Sequence, residues 1–440
     1  MQKYFYELVD ALSAKLRGGE VLLAGFSGEE SDFVRFNRSR VRQAGHVSQA
    51  HFGLELVAGG HHAKGSLSVS REKSADMEGL AAMLDGLRAQ LPHVPEDPYL
   101  LYATEVRSGE QHGEDLLPDR GQALAAILGA GAGRDMVGIY AQGGICHGFA
   151  NSLGQRNWFS THSFNLDWSF YHAADKAVKS RYAGLEWSDE EFGGRVERAA
   201  GQLAVLARPP RTIAPGKYRV YLAPSAMEDF VDMLCWGGFS LKAQRTKTTP
   251  LLKMLEGEAR LSPKVTIREN TAGGIAPSFQ GQGFIRPGQV TLIAAGCIRD
   301  CLVSPRSGKE YGLEPNGASG DERPDSLDMD AGDIPAAEAL ARLGTGIWVN
   351  QTWYLNFSDR AACRVTGMTR FATFWVEGGA IAAPLNVMRF DETMYRALGE
   401  NLVGLTAERD FLLNPGSYGG RSTGSARLPG ALIDDFTFTL

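Results

Sequence analysis

Between Ser163 and Phe170 the chain alternates without a break: Phe164, Leu166, Trp168 and Phe170 are apolar, and Ser163, Asn165, Asp167 and Ser169 are polar. A period of two places all four apolar side chains on one face, which is the pattern of a half-buried strand in an antiparallel sheet. Helical spacing appears on either side of it. Phe5, Leu8, Val9, Leu12 and Leu16 share a face over 4–17, and Met77, Leu80, Met83, Leu84, Leu87 and Leu91 do so over 74–91. A shorter helix is expected over 120–128. Another follows Ser188 and Glu191, a capping pair, and buries Phe192, Val196, Leu203 and Leu206.

Further strands are predicted at 21–24, 34–41 and 47–57, with an acidic turn at 29–32. Residues 99–118 read as loop with one short strand. Segments 137–140 and 144–149 read as a hairpin leading into the turn Ala150-Asn151-Ser152-Leu153-Gly154. Pro209-Pro210 ends the first half. The fold class expected is α+β, with mixed and antiparallel sheets, a domain over 1–210 and a strand-rich domain over 211–440. A chain of 440 residues is too long for one ordinary core.

In the second half, Tyr218, Val220 and Leu222 alternate with Arg219 and Tyr221, and Pro224 and Ser225 end that strand. Ser225 and Glu228 have capping-box spacing, and the helix they open carries Phe230, Val231 and Leu234 inward before Gly237 and Gly238. Helices are predicted at 249–256, 335–343 and 391–403, and strands at 264–268 and 290–295. Residues 273–288 are glycine-rich, 312–333 read as an acidic surface loop, and 346–357 as a strand pair. Gly424 and Ser425 fall in a polar tail loop.

The net charge of −6 argues against a nucleic-acid partner, which usually needs a basic face. Five cysteines without framework spacing point to reduced thiols. No apolar run is long enough to span a bilayer, and Glu7 and Asp10 interrupt the first apolar segment. A cytoplasmic protein is therefore expected.

Three stretches carry a resemblance. One is Asp232-Met233-Leu234-Cys235-Trp236-Gly237-Gly238-Phe239. Another is Thr366-Gly367-Met368-Thr369-Arg370-Phe371-Ala372 leading into Phe374-Trp375-Val376-Glu377-Gly378-Gly379-Ala380-Ile381. The third is the glycine-flanked Gly416-Ser417-Tyr418-Gly419-Gly420-Arg421. With Phe33-Val34-Arg35-Phe36-Asn37, they resemble the TldD/PmbA family of zinc-dependent peptidases and their metal-free partners. In the peptidase branch the helix carries HExxxH, whose histidines hold zinc and whose glutamate activates water. Here Leu234 and Phe239 stand at the histidine positions, Cys235 at the glutamate, and Tyr418 at a C-terminal cysteine ligand. Gly238 keeps the family's glycine.

The resemblance implies the metal-free PmbA/TldE-type branch, with no catalytic residue, metal ligand or cofactor of its own and zinc only in a partner subunit. The implied partners are a TldD-like HExxxH zinc peptidase subunit or a second copy, in a dimer, and an unfolded or modified peptide. No direct nucleic acid or membrane contact is expected. Leu234, Cys235, Phe239 and Tyr418 would line an apolar wall, with Gly238 kept for shape. One alternative is an autonomous hydrolase with Cys235 as nucleophile, its histidine base coming from the other half. A second is a homodimeric, non-catalytic peptide-binding or regulatory protein, in keeping with the family's association with DNA gyrase modulation.

Other residues read as structural. His46 and His51 are an odd number apart in a strand and so face opposite ways, as do His61 and His62 at a hairpin tip. His147 reads as a core or turn histidine. Cys297 and Cys301 lack further ligands and read as buried thiols. Gln280 and Gln282 form a polar turn or a neutralised site. Serine-hydrolase elbows, Walker A and dinucleotide fingerprints are absent.

Overall fold

The computed structural model describes residues 1–173 and 176–440. The first part of the chain runs α1 (Gln2–Ser13), β1 (Val21–Asn37), β2 (Arg40–Ala58), β3 (His61–Ser68), α2 (Lys73–Gln90), β4 (Gly109–His112), α3 (Arg120–Gly131), β5 (Asp135–Asn151), β6 (Arg156–Ala173), β7 (Lys176–Gly184) and α4 (Asp189–Leu206). Its sheet has the order β3-β2-β1-β5-β6-β4, with β7 also on β6. The alternation of β6 does what its period requires: Phe164, Leu166, Trp168 and Phe170 are all buried, in a core closed by α3 and α4. A second core packs α1 and α2 through Phe5, Leu8, Leu80 and Leu84 onto Phe52 and Leu54 of β2. Ser188 caps α4 by accepting from the Glu191 amide.

The second sheet begins with β8 (Gly216–Leu222), which leads into α5 (Pro224–Cys235), α6 (Leu241–Arg245) and α7 (Leu252–Leu255). Then come β9 (Ile267–Glu269), β10 (Val290–Ala294), β11 (Cys297–Ile298), α8 (Pro305–Tyr311), β12 (Ser326–Met329) and α9 (Ala339–Leu343). It finishes with β13 (Gly346–Asp359), β14 (Arg364–Glu377), β15 (Ala380–Pro384), β16 (Arg389–Thr393), β17 (Leu402–Leu413) and β18 (Ser425–Phe438). The order is β11-β10-β9-β12-β18-β16-β14-β13-β8, and β18 pairs with β8 as well, so five strands form a closed circuit. Val220 and Leu222 of β8 enter the main core with α5. Tyr221 points to the other face, beside Trp348 and α9. The architecture is α+β, and among the described residues no helix is long and apolar enough to cross a membrane.

Several expectations are corrected, each by a non-local partner. Residues 29–32 are the middle of β1, not a turn, because β2 and β5 pair with them on both sides. Residues 137–149 are one strand rather than a hairpin. Gly143 sits within it at φ +146°, where an added Cβ would run into the carbonyl of Glu30. Residues 346–357 are likewise one strand, with Tyr354 at φ 57° absorbing a register shift. The helix expected over 391–403 is β16, a single helical turn and the start of β17. The expected surface loop at 312–333 contains β12, wholly buried between β9 and β18. The tail after Ser425 is β18, the hub of the sheet. The Ser225–Glu228 capping box does not form. Pro224 opens α5 with Ala223 as N-cap, which leaves Ser225 inside the first turn, and Glu228 turns to an arginine of the first sheet.

Candidate functional site

Helix α5 is amphipathic on three sides of its surface. Ala226, Met227, Phe230, Val231, Met233 and Leu234 are buried among β8, β13 and β18, with Phe230 against Phe436. The helix stops where the chain can no longer continue it. Trp236 leaves helical geometry, Gly237 takes φ +81°, and the Gly238 amide returns to the Leu234 carbonyl at 2.8 Å. A Cβ on Gly238 would overlap that carbonyl, so the residue must be glycine for this close approach. The following segment is pinned. The Phe239 carbonyl accepts from the Leu302 amide at 2.7 Å, and Ser240 Oγ donates to the buried Glu322 at 2.6 Å.

Leu234, Cys235 and Phe239 are therefore brought together, but inside the core. Their side chains are consumed in packing α5, where the expectation had them on an open apolar wall. The Cys235 thiol lies 3.9 Å from the Val231 carbonyl, and burial pushes it far above the ordinary thiol range. Tyr418 is elsewhere. Its loop crosses to the first sheet, where Gln49 Nε2 donates to the Gly419 carbonyl at 2.9 Å. The buried Arg421 guanidinium donates to the Ser163 carbonyl at 2.7 Å and to the Gly143 carbonyl at 3.2 Å. That anchoring leaves Tyr418 fully exposed over Phe33, Val47 and Gln49.

Zinc does not fit this constellation. Leu234 and Phe239 carry no lone pair, Cys235 is sealed as a thiol, and Tyr418 is not a member of their cluster. Among the described residues no group of three or more His, Cys, Asp or Glu side chains is arranged to hold a metal ion. The histidines serve local pairs: His46 with Asp32 at 2.9 Å, His62 with Glu55 at 2.7 Å, His51 with Ser68 at 3.2 Å. His147, in β5, has its imidazole pushed down to about 4 by burial and by the nearby Arg286. Cys297 and Cys301 do not share a helix, and Cys297 is exposed, contrary to the expectation of buried thiols. Gln280 is buried in a tight turn, and Gln155 of the first sheet holds the adjoining Gly283 carbonyl at 2.8 Å.

The polar face of α5 carries Glu228, Asp229 and Asp232. Asp229 accepts from Thr352 Oγ1 at 2.8 Å, and burial pushes its carboxyl up. Glu228 pairs with Arg181 of β7, which also reaches Asp167 of β6 at 3.3 Å, and Lys179 holds Asp167 at 3.1 Å. Burial raises the Glu228 carboxyl in spite of the arginine. This network ties the helix to the first sheet and borders a cleft of about 970 Å³. Residues 178–184 of β7, the start of α5, Tyr221, Trp348 and Arg427 line it. Sequence reasoning missed the cleft because β7 has no clean alternation. The one visible signal was Tyr221, a polar aromatic on the face of β8 opposite Val220.

A family model described as the PmbA/TldA metallopeptidase C-terminal domain matches residues 215–440. No curated protein matches. Among solved structures, the chain is similar to a Thermotoga maritima protein described as a modulator of a DNA gyrase (TM-score 0.76, 15% identity, 100% of both chains). It is similar to TldE from Thermococcus kodakarensis (TM-score 0.76, 13% identity, 99% of this chain and 100% of that one). It is also similar to a Bacteroides thetaiotaomicron protein described as a modulator of DNA gyrase (TM-score 0.75, 16% identity, 99% and 98%). At these identities the likeness shows the fold alone.

Proposed function

This chain belongs to the PmbA/TldD family, and from that premise we propose that it is the zinc-ligand-lacking subunit of a metallopeptidase complex, binding unfolded or modified peptide for a catalytic partner. The observation that carries the reading is the fate of α5. The helix and its glycine stop are formed, and Leu234 and Phe239, which the family resemblance sets against the two zinc-binding histidines, are used as core. A helix kept for packing and stripped of donors serves assembly rather than hydrolysis. Peptide would lie in the cleft, where, among the described residues, β7 has only β6 as a strand partner and offers main-chain groups for sequence-tolerant pairing.

A protein partner is favoured by an exposed aromatic patch at the β13–β14 bulge. Trp353 is 49% exposed and Tyr354 73%, and Arg370 stacks 4.0 Å from the Trp353 ring centroid. Aromatic and arginine side chains held rigidly at a surface are the usual anchors of an interface. The autonomous cysteine-hydrolase reading is disfavoured, because Cys235 is sealed and no histidine occurs after His172. A non-catalytic homodimer would use the same patch, and the test separates the two.

The experiment mixes the purified chain with an HExxxH homologue from the same cell and analyses the mixture by size-exclusion chromatography with elemental analysis. A mixed complex whose zinc travels with the partner, and peptide hydrolysis by the pair alone, is expected. A stable homodimer that ignores the homologue refutes the heteromeric reading. About one equivalent of zinc on this chain alone refutes the ligand-free assignment.

A further inference from the structure

We propose that the free edge of β2, over residues 43–49, takes up an extended peptide as an added strand, with basic side chains on one face and apolar side chains on the other. The pairing of β3 with β2 stops at His51 and Ser68. Beyond that point β2 has β1 as its one strand partner among the described residues, and residues 40–46 are all exposed. The Val69 amide bonds the Ala50 carbonyl at 3.0 Å, so Ala50 directs its backbone groups at this edge, and in an antiparallel ladder every second residue does the same. The amides and carbonyls of Ser48, His46 and Ala44 therefore face outward. Among the described residues none of them makes a hydrogen bond outside the ladder. Edge strands are usually blunted by charge, proline or a bulge. Arg40, Arg42 and the register shift at Arg35 and Phe36 do this at one end, whereas residues 43–49 contain no proline, lysine, arginine or acid.

A hollow adjoins the edge on each face, which is independent of the backbone geometry. On the face of Gly45, Val47 and Gln49 it measures about 490 Å³, and Phe33, Ile139 and the exposed Tyr418 wall it. Its one carboxylate, Glu29, is matched by Arg35, so the hollow suits an apolar side chain. On the face of His46 it measures about 730 Å³. Five carboxylates line that side against Arg71, Arg120 and the Met1 amino group. Arg71 takes Glu30 and Arg120 takes Asp32, and Asp115 and Asp119 have no cation among the described residues. The negative balance suits a basic side chain. Successive side chains of an added strand enter the two hollows in turn, while its main chain meets the unspent groups of β2. A second copy fits the edge less well. Seven residues of strand pairing are a small part of the roughly 1,200–2,000 Å² that stable interfaces bury. A two-fold axis through the edge would also set two negatively charged hollows side by side.

The site lies across the sheet from β7 and concerns this chain alone, so it goes beyond the subunit reading and survives its failure. The test is fluorescence anisotropy of the full chain with the peptide Lys-Leu-Lys-Phe-Lys amide, labelled with fluorescein at its N-terminus. Saturable binding below about 1 mM is expected, at least about tenfold weaker for Glu-Leu-Glu-Phe-Glu amide. Two N-methylated forms of the basic peptide, one methylated on the lysine amides and one on the leucine and phenylalanine amides, should part company. One set abolishes binding and the other is tolerated, because alternate amides of an added strand face β2. Ala44→Pro removes an outward amide that bonds nothing in the chain, so it should weaken binding about fivefold or more with little change in denaturation midpoint. Val47→Lys places a charge on the apolar face and should weaken binding about threefold or more. The proposal is overturned if the acidic peptide binds as well as the basic one, if the two methylated forms bind alike, or if both variants bind unchanged. A parent dimer that becomes a monomer in Ala44→Pro, with no peptide binding, gives the edge to a second copy and overturns it as well.

Discussion

Replacing Arg181 by methionine tests whether the α5 network is the lock between the two sheets. Among the described residues Arg181 is the one cation on Glu228, and its side chain is 11% exposed. Removing one member of a buried ion pair typically costs about 3–5 kcal/mol, because the other charge is left behind. Glu228 remains 20% exposed and Asp167 keeps Lys179, so the cost falls below that range, at about 2–3 kcal/mol near neutral pH. The pH dependence gives the sharper signature. The Glu228 carboxyl is already raised by burial, and losing the arginine raises it further. A carboxyl raised on folding contributes stability below its unfolded value, which is lost as pH rises through the folded value. The penalty of Arg181→Met should therefore shrink as the pH is lowered from about 8 to about 5, when Glu228 takes up a proton instead of remaining an unpaired charge. Urea denaturation of parent and variant across that range reads it directly. A penalty below about 1 kcal/mol, or one that does not change with pH, would mean that Glu228 is solvated and that the lock does not exist.

Gly238→Ala should lower stability by about 2–3 kcal/mol in the same assay, since the Cβ displaces the Leu234 carbonyl and breaks the bond that closes α5; a change below about 0.5 kcal/mol would sink that account. In the native state an aromatic disulfide reagent should modify Cys297 quickly, and Cys235 and Cys363, the latter pushed up to about 12, only after unfolding. A fast native-state reaction that disappears in Cys235→Ala would restore the cysteine-enzyme reading. His147 is held neutral by burial, so its contribution is present above the unfolded histidine range and is lost as pH falls from about 6.5 towards the folded value of about 4. His147→Gln should flatten acid destabilisation in that window, and an unchanged slope would refute the assignment.

Much of the site was legible without coordinates, because some properties belong to side chains themselves. Leucine and phenylalanine cannot ligate zinc in any fold, so it follows from their identity that Leu234 and Phe239 hold no metal. Period and spacing likewise fixed the buried faces of β6, α1, α2 and α4, since each face is set by local backbone geometry. What failed were elements whose length depends on distant pairing. Residues 29–32, 326–329 and 425–438 have weak local patterns and become strands because neighbours satisfy their backbone groups.

The tertiary structure alone decided where buried charge goes. Glu228 stands three residues after Ser225, and local spacing favours a capping box. The fold instead brings up Arg181 from 47 positions away, and a buried carboxylate gains more from a guanidinium than from one exposed amide. Tyr418 shows the same division. Its turn looks like part of the α5 site in sequence, but Arg421 finds its acceptors on the first sheet and carries the loop there. That Leu234 and Phe239 can hold no metal was thus determined residue by residue, while the cleft exists only because two sheets distant in the chain close around the start of one helix.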